Sequence, residues 1–414
     1  MSTGGCAFVG ETFSDNGDIS DYHAGGDAWV ALANDEGDLI WQRAFGGTGR
    51  EAFNAIRETP DGGLIVVGYA RSSDGDVIGH QGDGTYGDFW TLRLDADGEL
   101  EWQSTIGGTL NDTAHGLCVT EDGGAIVVGE TSSSDGQVVA AHGGVDAWVC
   151  RLSPAGALLW SRALGGSQDD IAYDVVAMSD GGALVVGKSR SNDGDVFGAH
   201  GAFDAWVVRL SSSGGVIWQR PLGGTYDDFF YSIATAGPGT FLLAGSTYSL
   251  NGNVTGNHGF ADAWLVLIDE FGALLSQSCF GGSHIDGAEA VIPSPLGGFL
   301  FAGSSTSADG DVTVNQGQPD YWVARIADYT GMGSIDRSAP ISMSPNPASD
   351  RLRVSLPLNE IAQITIVDMQ GRTAMRTSVR GPEVWLELSG LASGLYCVRA
   401  DLDMITVQKL LVVE

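Results

Sequence analysis

A short Asp-x-Trp element recurs at Asp27/Trp29, Asp88/Trp90, Asp146/Trp148, Asp204/Trp206, Asp262/Trp264 and Asp320/Trp322, first after 61 residues and then four times after 58. A near-constant period constrains the fold more than composition does. Each unit can bury its apolar surface only against its neighbours, so the units must stack into one body.

Residues 98–152 show the plan of one unit. "GELEWQSTIGG" and "TAHGLCVTEDGG" are followed by "AIVVGETSSSDGQVVAAHGGVDAWVCRL", four short β runs separated by turn signals. Four strands in about 58 residues predict a propeller blade. "LIVVG", "AIVVG" and "ALVVG" are apolar at consecutive positions, as expected of strands covered on both faces. The expected fold is all-β. A β-propeller of about six four-stranded blades, the first and last incomplete, spans residues 1–326; a linker spans 327–341 and a small Ig-like β-sandwich 342–414. The tight Asp-Gly-Gly and "SPAG" hairpins belong on one face. The "GGTLND" turn and the "DGDV…HG..D" loop then emerge together on the other, because up-and-down strands alternate direction.

The "VVG" and "DAWV" strand types occur six times each, the "LIWQ" and "DVVA" types five times each. The two strands that would complete six blades are consecutive in the repeat and fall immediately before Gly4. From this we expect a chain that starts inside a blade, with roughly 35 more residues of repeat and a signal peptide upstream. An open or five-bladed ring with a natural start is the competing expectation.

Net charge is −32. From Ile341 onward there are seven basic and eight acidic residues, leaving 13 of the 20 basic and 44 of the 52 acidic residues to the repeats. Such a surface repels phosphate backbones and suits cations, basic partners or a saline medium. Lysine occurs only at Lys188 and Lys409. Cys6, Cys118, Cys150, Cys279 and Cys397 fall at non-equivalent repeat positions and form no CxxC pair, which argues against a disulfide framework or a zinc site. No apolar run is long enough to span a membrane, and "MSTGGCAFVG" lacks the basic and apolar regions of a signal peptide.

The C-terminal stretch contains Pro345-Asn346-Pro347, Asp350, Asp368 followed by Gly371-Arg372, Leu391 with Gly394-Leu395-Tyr396, and Lys409-Leu410-Leu411-Val412. In that order these residues resemble the type A sorting domain of the type IX secretion system of Bacteroidota. The resemblance implies export across the inner membrane by a signal peptide, then passage through the outer membrane with this domain as the address. It also implies frequent removal of the domain on arrival, with the cargo anchored to surface lipopolysaccharide or released. The chain departs from that family in showing no N-terminal signal. The repeats resemble a class found in secreted Bacteroidota proteins, a likeness that implies little about function.

Several repeated residues are site candidates. An Asp-Gly-Asp turn plus carbonyls could supply calcium with oxygens, and the intact pairs are Asp74/Asp76, Asp193/Asp195 and Asp309/Asp311. Amides replace acids at Asn16, Gln137 and Asn251/Asn253, and Asp and Asn also build tight turns, so a structural turn is the favoured reading. His23, His142, His200 and His258 each precede the Asp of Asp-x-Trp by four residues, one per blade and too far apart to share a metal. Glu51, Asp112, Asp170, Asp228 and Asp286 close the Gly-Gly turn in five units, a symmetry that points to architecture. Tryptophan pairs such as Trp148/Trp160 suit the wedge between blades. No HExxH, GxSxG or phosphate loop occurs, and "GDGTYG" is followed by no helix. The functional expectation is a secreted or surface-displayed binding or structural module without a catalytic set, taking a glycan or protein on the long-loop face or at the centre. The alternatives are a polysaccharide-active enzyme on the acidic face and a passive halotolerant spacer.

Overall fold

The computed structural model describes residues 1–414 apart from 2–3, 296, 313, 316, 318, 328–341, 345–347, 356–360, 369–371, 381–382, 403–404 and 414. It divides into two compact units, Met1–Met332 and Gly333–Glu414. Every regular element among the described residues is a β-strand.

The larger unit contains six antiparallel sheets whose strands pair in chain order. The first holds Cys6–Thr12 (β1), Asp27–Ala33 (β2) and Leu39–Phe45 (β3). The second holds Glu51–Glu58 (β4), Leu64–Ala70 (β5), Asp88–Leu94 (β6) and Leu100–Ile106 (β7), and the third Asp112–Val119 (β8), Ala125–Thr131 (β9), Asp146–Leu152 (β10) and Leu158–Leu164 (β11). The fourth comprises Asp170–Ala177 (β12), Ala183–Ser189 (β13), Asp204–Leu210 (β14) and Val216–Leu222 (β15). Asp228–Gly237 (β16), Thr240–Thr247 (β17), Asp262–Asp269 (β18) and Leu274–Phe280 (β19) make the fifth; Asp286–Pro293 (β20), Phe299–Ser305 (β21) and Asp320–Ile326 (β22) make the sixth. The first strands of successive sheets, β4, β8, β12, β16 and β20, pack on one another, and Arg57 on β4 reaches Asp174 on β12, two sheets away, at 3.5 Å. The arrangement is propeller-like, with complete blades in the middle and three strands in the first and last.

The packing explains the apolar runs. In β9, Val127 joins a core with Ile65 and Val67 of the preceding blade, whereas its neighbours Ile126 and Val128 join one with Ala183, Val185 and Trp206 of the next. Each blade is a sheet buried on both faces, so alternation disappears.

The tryptophans divide the labour. Trp90, Trp148 and Trp264 are fully buried. The second tryptophan of a pair lies under the hairpin of the following blade. Trp102 donates to the Pro154 carbonyl at 3.0 Å, Trp160 to that of Ser212 at 3.0 Å and Trp218 to that of Glu270 at 3.2 Å. Gly156, at φ +76°, is required there, since a Cβ would meet the Trp102 ring at 2.5 Å.

In the smaller unit, Ser342–Ser344 (β23), Arg351–Ser355 (β24) and Glu383–Glu387 (β27) form one sheet. Ile361–Asp368 (β25), Thr373–Arg380 (β26), Gly394–Leu402 (β28) and Ile405–Val413 (β29) form a second, in the order β26-β25-β28-β29. Leu352, Val354 and Leu386 of the first meet Ile364, Ile366, Tyr396 and Val398 of the second in one core, as in a sandwich. β26 was not expected from the sequence: "TAMRTSVR" is largely polar and lies at the edge of its sheet.

Candidate functional site

The repeated acids and amides on the long-loop side join blades. The Gly-Gly turn crosses from the last strand of one blade to the first of the next, and the Asp-Gly-Asp loop of the receiving blade clasps it. Thr48 N donates to Asp74 Oδ1 at 2.8 Å and Gly46 N to Asp76 Oδ2 at 3.1 Å. Ser167 N donates to Asp193 at 2.7 Å, while Ser283 N and Gly281 N donate to Asp309 and Asp311 at 2.7 and 3.1 Å. Asp195 accepts from Arg162 at 3.4 Å, and its own N–H donates to the Gly165 carbonyl at 2.8 Å. Where amides stand, the bonds persist: Thr225 N to Asn251 Oδ1 at 3.0 Å, Gly223 N to Asn253 Oδ1 at 3.2 Å, Gly107 N to Gln137 Oε1 at 3.1 Å. The backbone N–H bond takes one carbonyl-type oxygen in each case, which is why acid and amide interchange there, while Asp74 and Asp135 also accept from the Thr48 and Thr109 hydroxyls through Oδ2 at 2.9 and 2.8 Å. These backbone N–H bonds hold the Asp74, Asp193 and Asp309 carboxyls below their usual range.

The turn acids and histidines complete the joint. Asp112 accepts from Gly108 N at 2.8 Å and Ser133 Oγ at 3.0 Å, as well as from Thr131 Oγ1. The backbone N–H groups of His23, His142, His200 and His258 cap the Asp of Asp-x-Trp at 2.6–3.0 Å, and His23 Nδ1 lies 2.9 Å from Asp27. Among the described residues no cluster of three or more His, Cys, Asp or Glu is arranged to hold a metal ion.

Symmetry breaks at the third residue after each turn acid. A β-bulge there leaves Asn54, His115, Tyr173, Tyr231 and Glu289 unpaired on β4, β8, β12, β16 and β20, and no two neighbours match except the tyrosines. Bulges re-aim side chains, and they are over-represented beside functional sites. A second variable position follows the strand glycine, as Glu130 on β9 and Lys188 on β13.

Together these positions build an aromatic rim at the loop-bearing end of blades three to five. His115 lies 5.4 Å from Tyr173 between ring centroids, Tyr173 5.2 Å from Tyr231, and Phe229 5.9 Å from Tyr231 and 6.4 Å from Tyr248. The Lys188 ammonium sits 4.8 Å from the Phe203 ring centroid, 5.1 Å from Phe229 and 5.6 Å from Tyr173, within cation–π range of all three. The Arg190 guanidinium also lies over the Phe203 ring, 5.6 Å from its centroid. The rings are half-buried, each leaving part of its surface to solvent. At the margins, His115 Nε2 is 3.7 Å from Glu130, and Glu289 lies close enough to Tyr231 to raise its phenol after the larger effect of burial. Beneath the rim, Asp174 is buried and accepts from Ser232 Oγ at 3.2 Å and Ile233 N at 3.1 Å. Sequence inspection passed over this set; the available signal was the variability of one repeat position whose neighbours are constant.

In the smaller unit, Asp368 accepts from Arg372 N at 2.9 Å and Arg372 Nε at 2.7 Å, closing the turn after β25. Tyr396 is buried and donates to the Ala392 carbonyl at 3.0 Å. Gly394 opens β28, and Lys409 lies on β29. Pro345, Asn346, Pro347 and Gly371 lie outside the described residues.

A curated relative, the regulatory protein FlaEY of Caulobacter vibrioides, is 22% identical over 364 residues, and the aligned region spans 78% of this chain and 37% of that protein. Among solved structures, PorZ, a surface component of the type IX secretion system of Porphyromonas gingivalis, aligns over 94% of this chain and 69% of its own at 12% identity, with a TM-score of 0.33. The extracellular domain of BT4673 from B. thetaiotaomicron aligns over 94% and 55% at 10% identity, with a TM-score of 0.37. No helix among the described residues is long and apolar enough to cross a membrane. Residues 342–414 match the family described as "Secretion system C-terminal sorting domain". The chain therefore carries a type IX secretion sorting domain behind a propeller-like body, and it is a secreted or outer-surface protein.

Proposed function

We propose that the propeller-like body is a non-enzymatic binding module and that its ligand is a glycan held on the aromatic rim. The observation that carries this reading is the contiguous, half-buried set Tyr173, Tyr231, Phe229, Phe203 and Tyr248, gathered around the bulge positions where neighbouring blades differ. Sugar rings present apolar C–H faces that stack on such surfaces, and Glu130, Glu289, His115 and Lys188 supply hydrogen-bonding groups at the edges. Export to the cell exterior places the module where polysaccharides are met.

The test is a glycan microarray probed with the full chain and with Tyr173→Ala and Tyr231→Ala. Binding that both variants lose supports the reading, and binding unaffected by either refutes it. Turnover of a bound polysaccharide would replace it with the enzyme alternative.

A further inference from the structure

The ligand class can be narrowed by charge, an argument that rests on the glycan reading above. The repeats carry more than three acids for every base, yet the rim gathers Lys188 and Arg190 on the same aromatic surface. Lys188 is the single lysine of the repeats. Among the described residues no carboxylate closes on it within ion-pair distance, and its ammonium lies over the rings of Phe203, Phe229 and Tyr173 instead. At the equivalent position the other blades place Glu11, Tyr69, Glu130, Ser246 and Ser304, so no repeat constraint selects a cation there. A lysine whose role was surface solubility would stand in water, and one whose role was structural would pair with a carboxylate, of which the repeats have 44 against 13 basic residues.

We infer that the rim binds an acidic glycan, one bearing carboxylate or sulfate groups, with Lys188 as the anion contact and Tyr173, Phe229 and Tyr231 as the stacking surface. The ring faces restrict the motion of the ammonium and shield it from solvent, so an incoming anion meets a charge already positioned. The surrounding acidity makes the site selective by repelling anions everywhere except at this cation.

The test is an array of polyuronate and sulfated oligosaccharides beside their carboxyl-reduced and desulfated counterparts, probed with the full chain, Lys188→Gln, Lys188→Arg and Tyr231→Ala. The expected result is binding to acidic members only, weakened by salt, reduced at least tenfold by Lys188→Gln and retained in part by Lys188→Arg. Circular dichroism and melting temperature establish that the variants fold. Equal binding of the neutral counterparts, lost in Tyr231→Ala but unchanged in Lys188→Gln, would overturn the acidic class and leave the glycan reading standing. No binding to either class would overturn both.

Discussion

Asp88 and Asp112 belong to adjacent blades and close on one glycine: a Cβ at Gly107 would lie 2.2 Å from Asp88 Oδ1 and 2.7 Å from Asp112 Oδ2. Asp146 and Asp170 meet in the same way at Gly165, and Asp262 and Asp286 at Gly281. Asp88, Asp146 and Asp262 each leave a buried Oδ1 without a hydrogen-bond donor. Burial, with the partner carboxylate adding to it, pushes Asp88 up to about 7 and Asp146 and Asp262 up to about 6.

A raised folded-state carboxyl destabilises the fold once it ionises. Its contribution is fully present below the unfolded value of 3.8 and is lost as pH rises from there through the folded values of 6 to 7. Asp74, Asp193 and Asp309 are shifted the other way, so their stabilisation is lost as pH falls below 3.8. Thermal melts across pH are expected to show a maximum near pH 4 and a decline from there to about pH 7. Asp88→Asn is expected to raise the melting temperature at pH 8 and to flatten the decline. A melting temperature that climbs from pH 5 to 8 would contradict the pairing.

Trp90, Trp206 and Trp264 each donate to a glutamine, Gln103, Gln219 and Gln277, at 2.8–2.9 Å. Blade three has Ser161 at that place, and the Trp148 indole N–H is buried with no acceptor. Ser161→Gln is expected to stabilise the protein by about 1 kcal/mol, and Gln219→Ser to destabilise it by at least as much. Chemical denaturation of both variants measures this, and a destabilising Ser161→Gln would show that the third blade is packed around the smaller side chain.

Calcium provides a separate test of the Asp-Gly-Asp loops. Asp74, Asp193 and Asp309 spend an oxygen on the crossing turn, as Asn251 does without a charge. Adding calcium or a chelator is expected to leave the melting temperature unchanged, and Asp193→Asn to alter stability by less than about 0.5 kcal/mol. A rise of several degrees with calcium, abolished in Asp193→Asn, would restore the metal reading.

Much of the body was legible because its repeat is strict. The period, the four strand types and the strand count of the first and last blades all follow from residues that recur, and the doubly apolar "VVG" runs mark strands covered on both faces. The resemblance of Asp368, Gly394, Tyr396 and Lys409 to a sorting domain was legible for the same reason, a fixed order of distinctive residues. The rim was not. Asn54, His115, Tyr173, Tyr231 and Glu289 stand on bulges, and a bulge is a register shift between strands that no local hydrophobic pattern records. Lys188 stands out in the sequence only as the single lysine of the repeats; its surroundings come from rings on β12 and β16 and from Phe203, which immediately precedes β14, and no local pattern brings these together.

The account stands or falls on where the ligand sits. The competing location is a cleft of about 350 Å³ at the tight-hairpin end, lined by Glu121, Arg151, Leu159 and Trp160. Calorimetric titration with an array-identified oligosaccharide should compare the full chain with Tyr173→Ala at the rim and Leu159→Ala in the cleft. A loss of at least tenfold in affinity in Tyr173→Ala, with Leu159→Ala unchanged, is the predicted result. The reverse pattern would contradict the rim as the binding site.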